Sequence, residues 1–211
     1  MGKIISIACF SVKLKLIPCF LSALAVLVKK LEHFGCSITL FGTAYHYLFY
    51  RKMVHKEIQM ASLKPGDKIL HIGCGPLPLT AYELYKNGFL VEAIDNDPGA
   101  ADKAKNFLKL FACSNSIKVK NVDGMNTDFS SFAAVWVSLH ACPKDKVLKK
   151  AFSTLPEGSK LVYRNPRGWL AFVYPRVEPE IIAPRCLKRR CNQFLSKETV
   201  VVTRVSPDKS R

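Results

Sequence analysis

The stretch His71-Ile72-Gly73-Cys74-Gly75-Pro76-Leu77-Pro78-Leu79-Thr80 decides how this chain is read. It follows the short apolar run Lys68-Ile69-Leu70-His71-Ile72, which reads as a strand, and opens a helical segment over residues 80–87. Gly73 and Gly75 permit a tight turn and a close approach of backbone to a ligand. The third glycine of a dinucleotide fingerprint is missing, and prolines stand there instead. Proline suits a first helical turn but does not build the usual pyrophosphate cradle.

Outward from this loop, strands and helices alternate. Strands are predicted over residues 91–94, 117–122, 133–139 and 160–164, with a last one over 200–205. Helices are predicted over 100–111 and 144–155. This alternation with short loops predicts an α/β fold, a mostly parallel sheet covered on both faces. Asp95 closes the second strand, 22 positions after Gly73, the spacing of a carboxylate that accepts hydrogen bonds from two ribose hydroxyls. Asn96 follows it, and Asp123-Gly124 after the third strand offers an adenine contact. Backbone and side chains at Cys74, Pro76, Leu77 and Ser138 complete the candidate cradle. A ribose and adenine site without a phosphate cradle points to S-adenosylmethionine.

Residues 61–130 carry 8 basic and 8 acidic side chains, whereas residues 1–60 carry 8 and 2, and residues 131–211 carry 16 and 6. The formal charge of +16 on 211 residues therefore flanks a neutral middle. A basic surface attracts nucleic acid, anionic membrane or small anions without choosing among them. The run Arg185-Cys186-Leu187-Lys188-Arg189-Arg190-Cys191 lacks interleaved aromatics and reads as a solvated basic face, so nucleic acid is not the expected partner. With 49% hydrophobic residues, the chain has enough apolar content for a packed core. The 8 cysteines form no CxxC pair and read as reduced cytosolic thiols, which sets a cytoplasmic expectation. No metal-ligand cluster is expected in the chain.

Residues 1–60 read as an N-terminal helical region, and the turn cluster Ser62-Leu63-Lys64-Pro65-Gly66-Asp67 marks the boundary to a Rossmann-like domain over 61–211. The uncharged stretch 16–28 is shorter than the ~20 residues a spanning helix needs. A secretory signal is a rival reading, but positive charges interrupt the apolar core rather than precede it. The stretch reads as a buried or interfacial helix, compatible with membrane-surface contact.

The loop Gly73-Cys74-Gly75-Pro76-Leu77-Pro78-Leu79-Thr80 resembles the signature loop of the nicotianamine synthases and their archaeal and bacterial relatives. Val135-Trp136-Val137-Ser138-Leu139-His140-Ala141 followed by Lys144 is similar to the family's fourth strand and loop. Leu161-Val162-Tyr163-Arg164, Gly168, Phe172-Val173-Tyr174-Pro175 and Val177 resemble its fifth-strand region. The similarity covers roughly residues 42 to 205. It implies a class I methyltransferase-like sheet and transfer of a 3-amino-3-carboxypropyl group from S-adenosylmethionine to an amine. Methylthioadenosine would leave, and the several amines and carboxylates of the product would suit metal chelation.

By the same resemblance, Tyr50 matches the family's catalytic tyrosine, Tyr47 contacts substrate, and Glu57 matches a neighbouring family position. The family's catalytic acid falls at Leu24, which is apolar. Glu32, the only acid in residues 1–56, is the candidate if the alignment shifts. From the residues themselves, Arg164 and Arg167 are candidates to hold a substrate carboxylate through paired N–H donors. His140 reads as an ordinary loop histidine before it reads as a base. The rival functions are a methyltransferase of a small molecule or RNA, and a non-catalytic relative that kept the cofactor pocket.

Overall fold

The computed structural model describes residues 50–184, 186–193 and 196–205. Helix α1 (Arg51–Ala61) leads into β1 (Lys68–Ile72), α2 (Leu79–Lys86), β2 (Leu90–Asp95), α3 (Pro98–Leu110) and β3 (Ile117–Asn121). Then come β4 (Ala134–Val137), α4 (Lys144–Thr154), β5 (Lys160–Pro166), α5 (Pro179–Ile182), β6 (Lys188–Gln193) and β7 (Lys197–Thr203). The seven strands lie in the order β3-β2-β1-β4-β5-β7-β6. The first five are parallel, and β7 pairs antiparallel with both β5 and β6. This is the predicted α/β class, with the strand order of the methyltransferase-like sheet.

Each face of the sheet carries its own apolar layer. Ile69, Trp136, Val162 and Val201 pack under α1–α3 with Val54, Leu84 and Phe107. Leu70, Val135, Leu161, Tyr163 and Val202 pack on the other face with Phe129, Val147 and Leu148. Burial on both faces explains why β1 and β4 read as continuous apolar runs rather than alternating ones. The strand order reverses between β1 and β4, which stay paired to their last residues, Ile72 and Val137, so the loops that follow them leave in opposite directions and open a crevice there.

The predicted elements shift by a few residues at their ends. The last predicted strand begins at Lys197 rather than residue 200 because its start pairs Pro166 and Asn165 of β5, a partner invisible in local hydropathy. The fourth is shorter, ending at Val137 as the backbone turns into the site. The second half of the basic run enters β6 (Lys188–Gln193), an edge strand that the hydropathy pattern does not announce. Charged side chains at a sheet edge replace the alternation of a half-buried strand. Its cations are largely engaged: Lys188 and Arg190 pair with Glu180, and Arg189 donates to the Met60 carbonyl. Ser62 closes α1 in the left-handed conformation, and Lys64 N–H donates to the Asp67 carboxylate in the predicted turn.

Cys74, Cys113, Cys142, Cys186 and Cys191 are free thiols. Among the described residues, no helix is long and apolar enough to cross a membrane. Glu32, Tyr47, Leu24 and the apolar stretch 16–28 lie outside the described residues.

Truncating Leu148, fully buried in α4 against the sheet, should cost about 2–5 kcal/mol through lost transfer energy and a cavity. Urea unfolding of Leu148→Ala, with an unchanged denaturant slope, is the check.

Candidate functional site

The loop after β1 turns on two left-handed glycines, Gly73 at φ +71° and Gly75 at φ +64°. Gly73 N–H and Cys74 N–H both donate to the Ile94 carbonyl, at 2.9 and 3.1 Å, which ties the loop to the end of β2. A Cβ at Gly73 would stand 3.4 Å from Ser138 Cβ, in ordinary contact, so the left-handed φ and not a lack of room calls for glycine here.

Asp95, at the end of β2, is held from two directions. Gly75 N–H donates to one carboxylate oxygen at 2.8 Å and Asp97 N–H to the other at 3.0 Å. Each oxygen keeps a second lone pair for a ribose hydroxyl. Asp97 caps α3 by accepting from Gly99 and Ala100 N–H, with Pro98 opening the helix. Asp123 accepts from Met125 N–H at 2.8 Å. Gly124 is needed for packing, since a Cβ there would meet Ile72 at 3.2 Å.

These residues wall a cavity of about 320 Å³, with Gly73, Gly75, Pro76, Asp95, Asn96, Asp123 and Gly124 in its lining. That size lies in the range of small-molecule sites. A smaller cavity of about 50 Å³ adjoins it. Its walls include Tyr50, Thr80, Ser138, Arg164, Cys74 and Leu77. Gly73, Gly75, Pro76 and His140 line both. The structure thus gathers these residues around one crevice, at the switch point between β1 and β4, whereas Arg167, the other candidate for a substrate carboxylate, is exposed and lines neither cavity. Three aspartates line the larger cavity and a guanidinium the smaller, so the two ends of the site differ in charge.

Beneath the smaller cavity lies a buried polar network. Arg164 donates from Nε and Nη2 to the two carboxylate oxygens of Glu57, each at 2.7 Å, and from Nη1 to Thr80 Oγ1 at 3.1 Å. Trp136 Nε1 and Thr199 Oγ1 also donate to Glu57, at 3.0 and 2.8 Å. The fork of Arg164 that the sequence reading offers to a substrate carboxylate is therefore engaged by Glu57, while its Nη1 edge meets Thr80. The Lys144 ammonium donates to the Arg164 carbonyl, and burial, helped by the Arg164 charge, pulls it down to about 7. The Tyr50 ring lies 5.9 Å from the Arg164 guanidinium and 5.7 Å from Lys197 Nζ.

His71, buried in β1, shares a 2.9 Å hydrogen bond between Nε2 and Ser138 Oγ, while its Nδ1 has no partner. Burial, then the Arg164 charge, lowers it to about 3, so the imidazole is neutral. Burial, with Asp95 nearby, pushes the Cys74 thiol up to about 12. Sequence reasoning missed the structural weight of Glu57, His71 and Lys144. Glu57 carried a usable signal, being an acid at helical spacing among Met53, Val54 and Ala61. So did His71, a polar residue within an apolar strand. Lys144 carried one only through its place in the family-like run after Ala141.

The family model for the nicotianamine synthase protein matches residues 26–204. The L-histidine 2-aminobutanoyltransferase of Yersinia pestis is 29% identical over 156 residues, 73% of this chain and 55% of that protein. Nicotianamine synthase 8 of Hordeum vulgare is 26% identical over 176 residues, 75% of this chain and 51% of that protein. The chain thus spans about half the length of these curated relatives. The crystal structure of a MtNAS variant in complex with S-adenosylmethionine superposes with a TM-score of 0.71 at 22% identity, covering 92% of this chain and 78% of that one. At that identity the match speaks for the fold.

Replacing Arg164 by Met strands the buried Glu57 carboxylate and should cost about 3–5 kcal/mol in urea unfolding. The double variant Glu57→Leu, Arg164→Met should recover most of it. A second expectation concerns acid. The folded His71 value lies below its unfolded one, so its contribution is complete above about pH 6.5 and is lost as pH falls toward about 3. Between pH 7 and 4.5 the wild type should lose about 2–3 kcal/mol more than His71→Gln, read from paired urea titrations.

Proposed function

The chain belongs to the nicotianamine synthase family, and from that premise we propose that it transfers the 3-amino-3-carboxypropyl group of S-adenosylmethionine to the amine of an amino-acid acceptor, with methylthioadenosine leaving. The carrying observation is the pair of adjoining cavities that share the Gly73–Gly75–Pro76 wall. The larger suits the adenosyl end, where Asp95 and Asp123 carry acceptor capacity for ribose and adenine. The smaller, walled by Tyr50, Leu77 and Ser138, suits the aminocarboxypropyl end.

S-adenosylmethionine supplies a sulfonium with three S–C bonds and a good leaving group. The task left to the chain is to choose the bond, and it does so by position, holding the amine in line with one carbon. Tyr50, at the wall of the smaller cavity beside Arg164 and Lys197, orients that amine through its hydroxyl. The name of the Yersinia pestis relative supports an amino acid as acceptor. A product with several amines and carboxylates would chelate transition metals, so the metal belongs to the product. The free thiols among the described residues support a cytoplasmic setting.

Mass spectrometry of the purified chain with S-adenosylmethionine and an amino-acid panel tests this reading. The expected result is methylthioadenosine together with an acceptor heavier by one aminocarboxypropyl unit. S-adenosylhomocysteine would make the chain a methyltransferase, and binding without turnover would make it a non-catalytic relative. Tyr50→Phe should slow transfer about tenfold or more while leaving donor binding within a factor of about two, as for loss of a hydrogen bond made mainly in the transition state.

A further inference from the structure

We propose that the hydroxyls of Ser138 and Thr80 bind the carboxylate at the methionyl end of the donor, and that His71 and Arg164 are positioning residues that turn those hydroxyls toward it. The assignment rests on the reading of the smaller cavity as the aminocarboxypropyl end. Both hydroxyl residues line that cavity, Thr80 from the first turn of α2 and Ser138 from the position after β4. Its volume of about 50 Å³ has room for about three to five water-sized groups, the bulk of a carboxylate and the carbon that bears it. It shares Gly73, Gly75 and Pro76 with the larger cavity, so the amino-acid tail of a donor whose adenosine lies in the larger one reaches it.

The direction of each O–H follows from the group behind its oxygen. Arg164 Nη1 donates to Thr80 Oγ1 at 3.1 Å. A guanidinium has donors and no acceptor, so Thr80 accepts there and its own proton is left over. His71 Nε2 lies 2.9 Å from Ser138 Oγ, and Nδ1 of the same buried ring has no partner among the described residues. Burial keeps this imidazole neutral, with a single N–H. A proton on Nδ1 would be a buried donor without an acceptor, the rarer and costlier kind of orphan. A proton on Nε2 serves Ser138 and leaves only a bare lone pair at Nδ1. Ser138 Oγ therefore accepts from His71. Among the described residues, neither hydroxyl proton then has an acceptor.

Two O–H protons in want of an acceptor suit a carboxylate, which accepts at both oxygens and makes stronger hydrogen bonds than a neutral group. The first turn of α2 adds the positive end of its helix dipole. Arg164 acts here through Thr80, because its fork is held by Glu57. A carboxylate fixed at this wall sets the course of the methionyl chain, and with it the S–C bond that faces an incoming amine.

The test measures, by calorimetry, the affinities of the chain for S-adenosylmethionine and for its decarboxylated analogue, which lacks only the carboxylate. Wild type should prefer S-adenosylmethionine by about tenfold or more. Ser138→Ala, Thr80→Val and His71→Leu should each narrow that preference to within about threefold, with the analogue bound within about twofold of wild type. Thr80→Ser and His71→Gln, which keep a hydroxyl and an N–H donor in place, should retain the preference. A full preference in Ser138→Ala and Thr80→Val overturns the assignment, even where both ligands bind more weakly. The ring nitrogen chemical shifts of His71 supply a second measurement, which needs no substitution at Ser138 or Thr80. They should show Nε2 protonated and Nδ1 bare, and the opposite tautomer also overturns the assignment. Equal binding of the two ligands by wild type overturns the placement of the methionyl end itself, and the assignment with it. Every readout here is one of binding, so a failure of aminocarboxypropyl transfer shows separately, in the products of turnover.

Discussion

Glu57 is a fully buried carboxylate, and four donors compensate it: two from Arg164, one from Trp136 and one from Thr199. An ionised carboxylate taken out of water without such partners costs several kcal/mol, so the site holds only when all of them are in place. They come from β4, β5 and β7, elements far apart in sequence from one another and from α1, which carries Glu57. One charged group thus fastens the helix before the sheet to three of its strands. Tyr50 immediately precedes that helix, and Arg164 lies beneath its ring, so the placement of the tyrosine follows from the same contact.

The crevice divides the work between its two ends. Backbone amides and aspartates shape the larger cavity, which under the proposed reading takes adenosine, whose neutral hydroxyls and ring nitrogens need acceptors and donors but no net cation. At the smaller end the Arg164 guanidinium is held by Glu57 and Thr80, so it serves to hold the wall in place. Class I sheets also serve methyl transfer, so on the proposed reading the choice between methyl and aminocarboxypropyl falls to side chains around the crevice and not to the sheet.

Much of this was legible in the sequence because it is local. The Gly73–Gly75 turn, the carboxylate ending β2 and the aspartate after β3 occupy positions fixed by short-range chain geometry, and the structure brings them to one cavity. The parallel strands were legible through their apolar runs. What escaped was long-range. Glu57 and Arg164 are 107 positions apart, and nothing in either neighbourhood says that they pair. The β6 strand escaped because its residues are charged and its partner, β7, supplies the pattern.

The edge strands have a consequence beyond the site. Among the described residues, the sheet ends in β3 on one side and β6 on the other. The first exposes Lys118 and Lys120, and the second exposes Arg189 and Arg190. Joining the open edge of one molecule to that of another would trap these cations against each other and strip them of water. Each end of the sheet therefore resists addition of a further strand, whichever edge the neighbour offers. A protein with a hydrophobic interior on both faces of its sheet is thereby protected from polymerising through its own backbone.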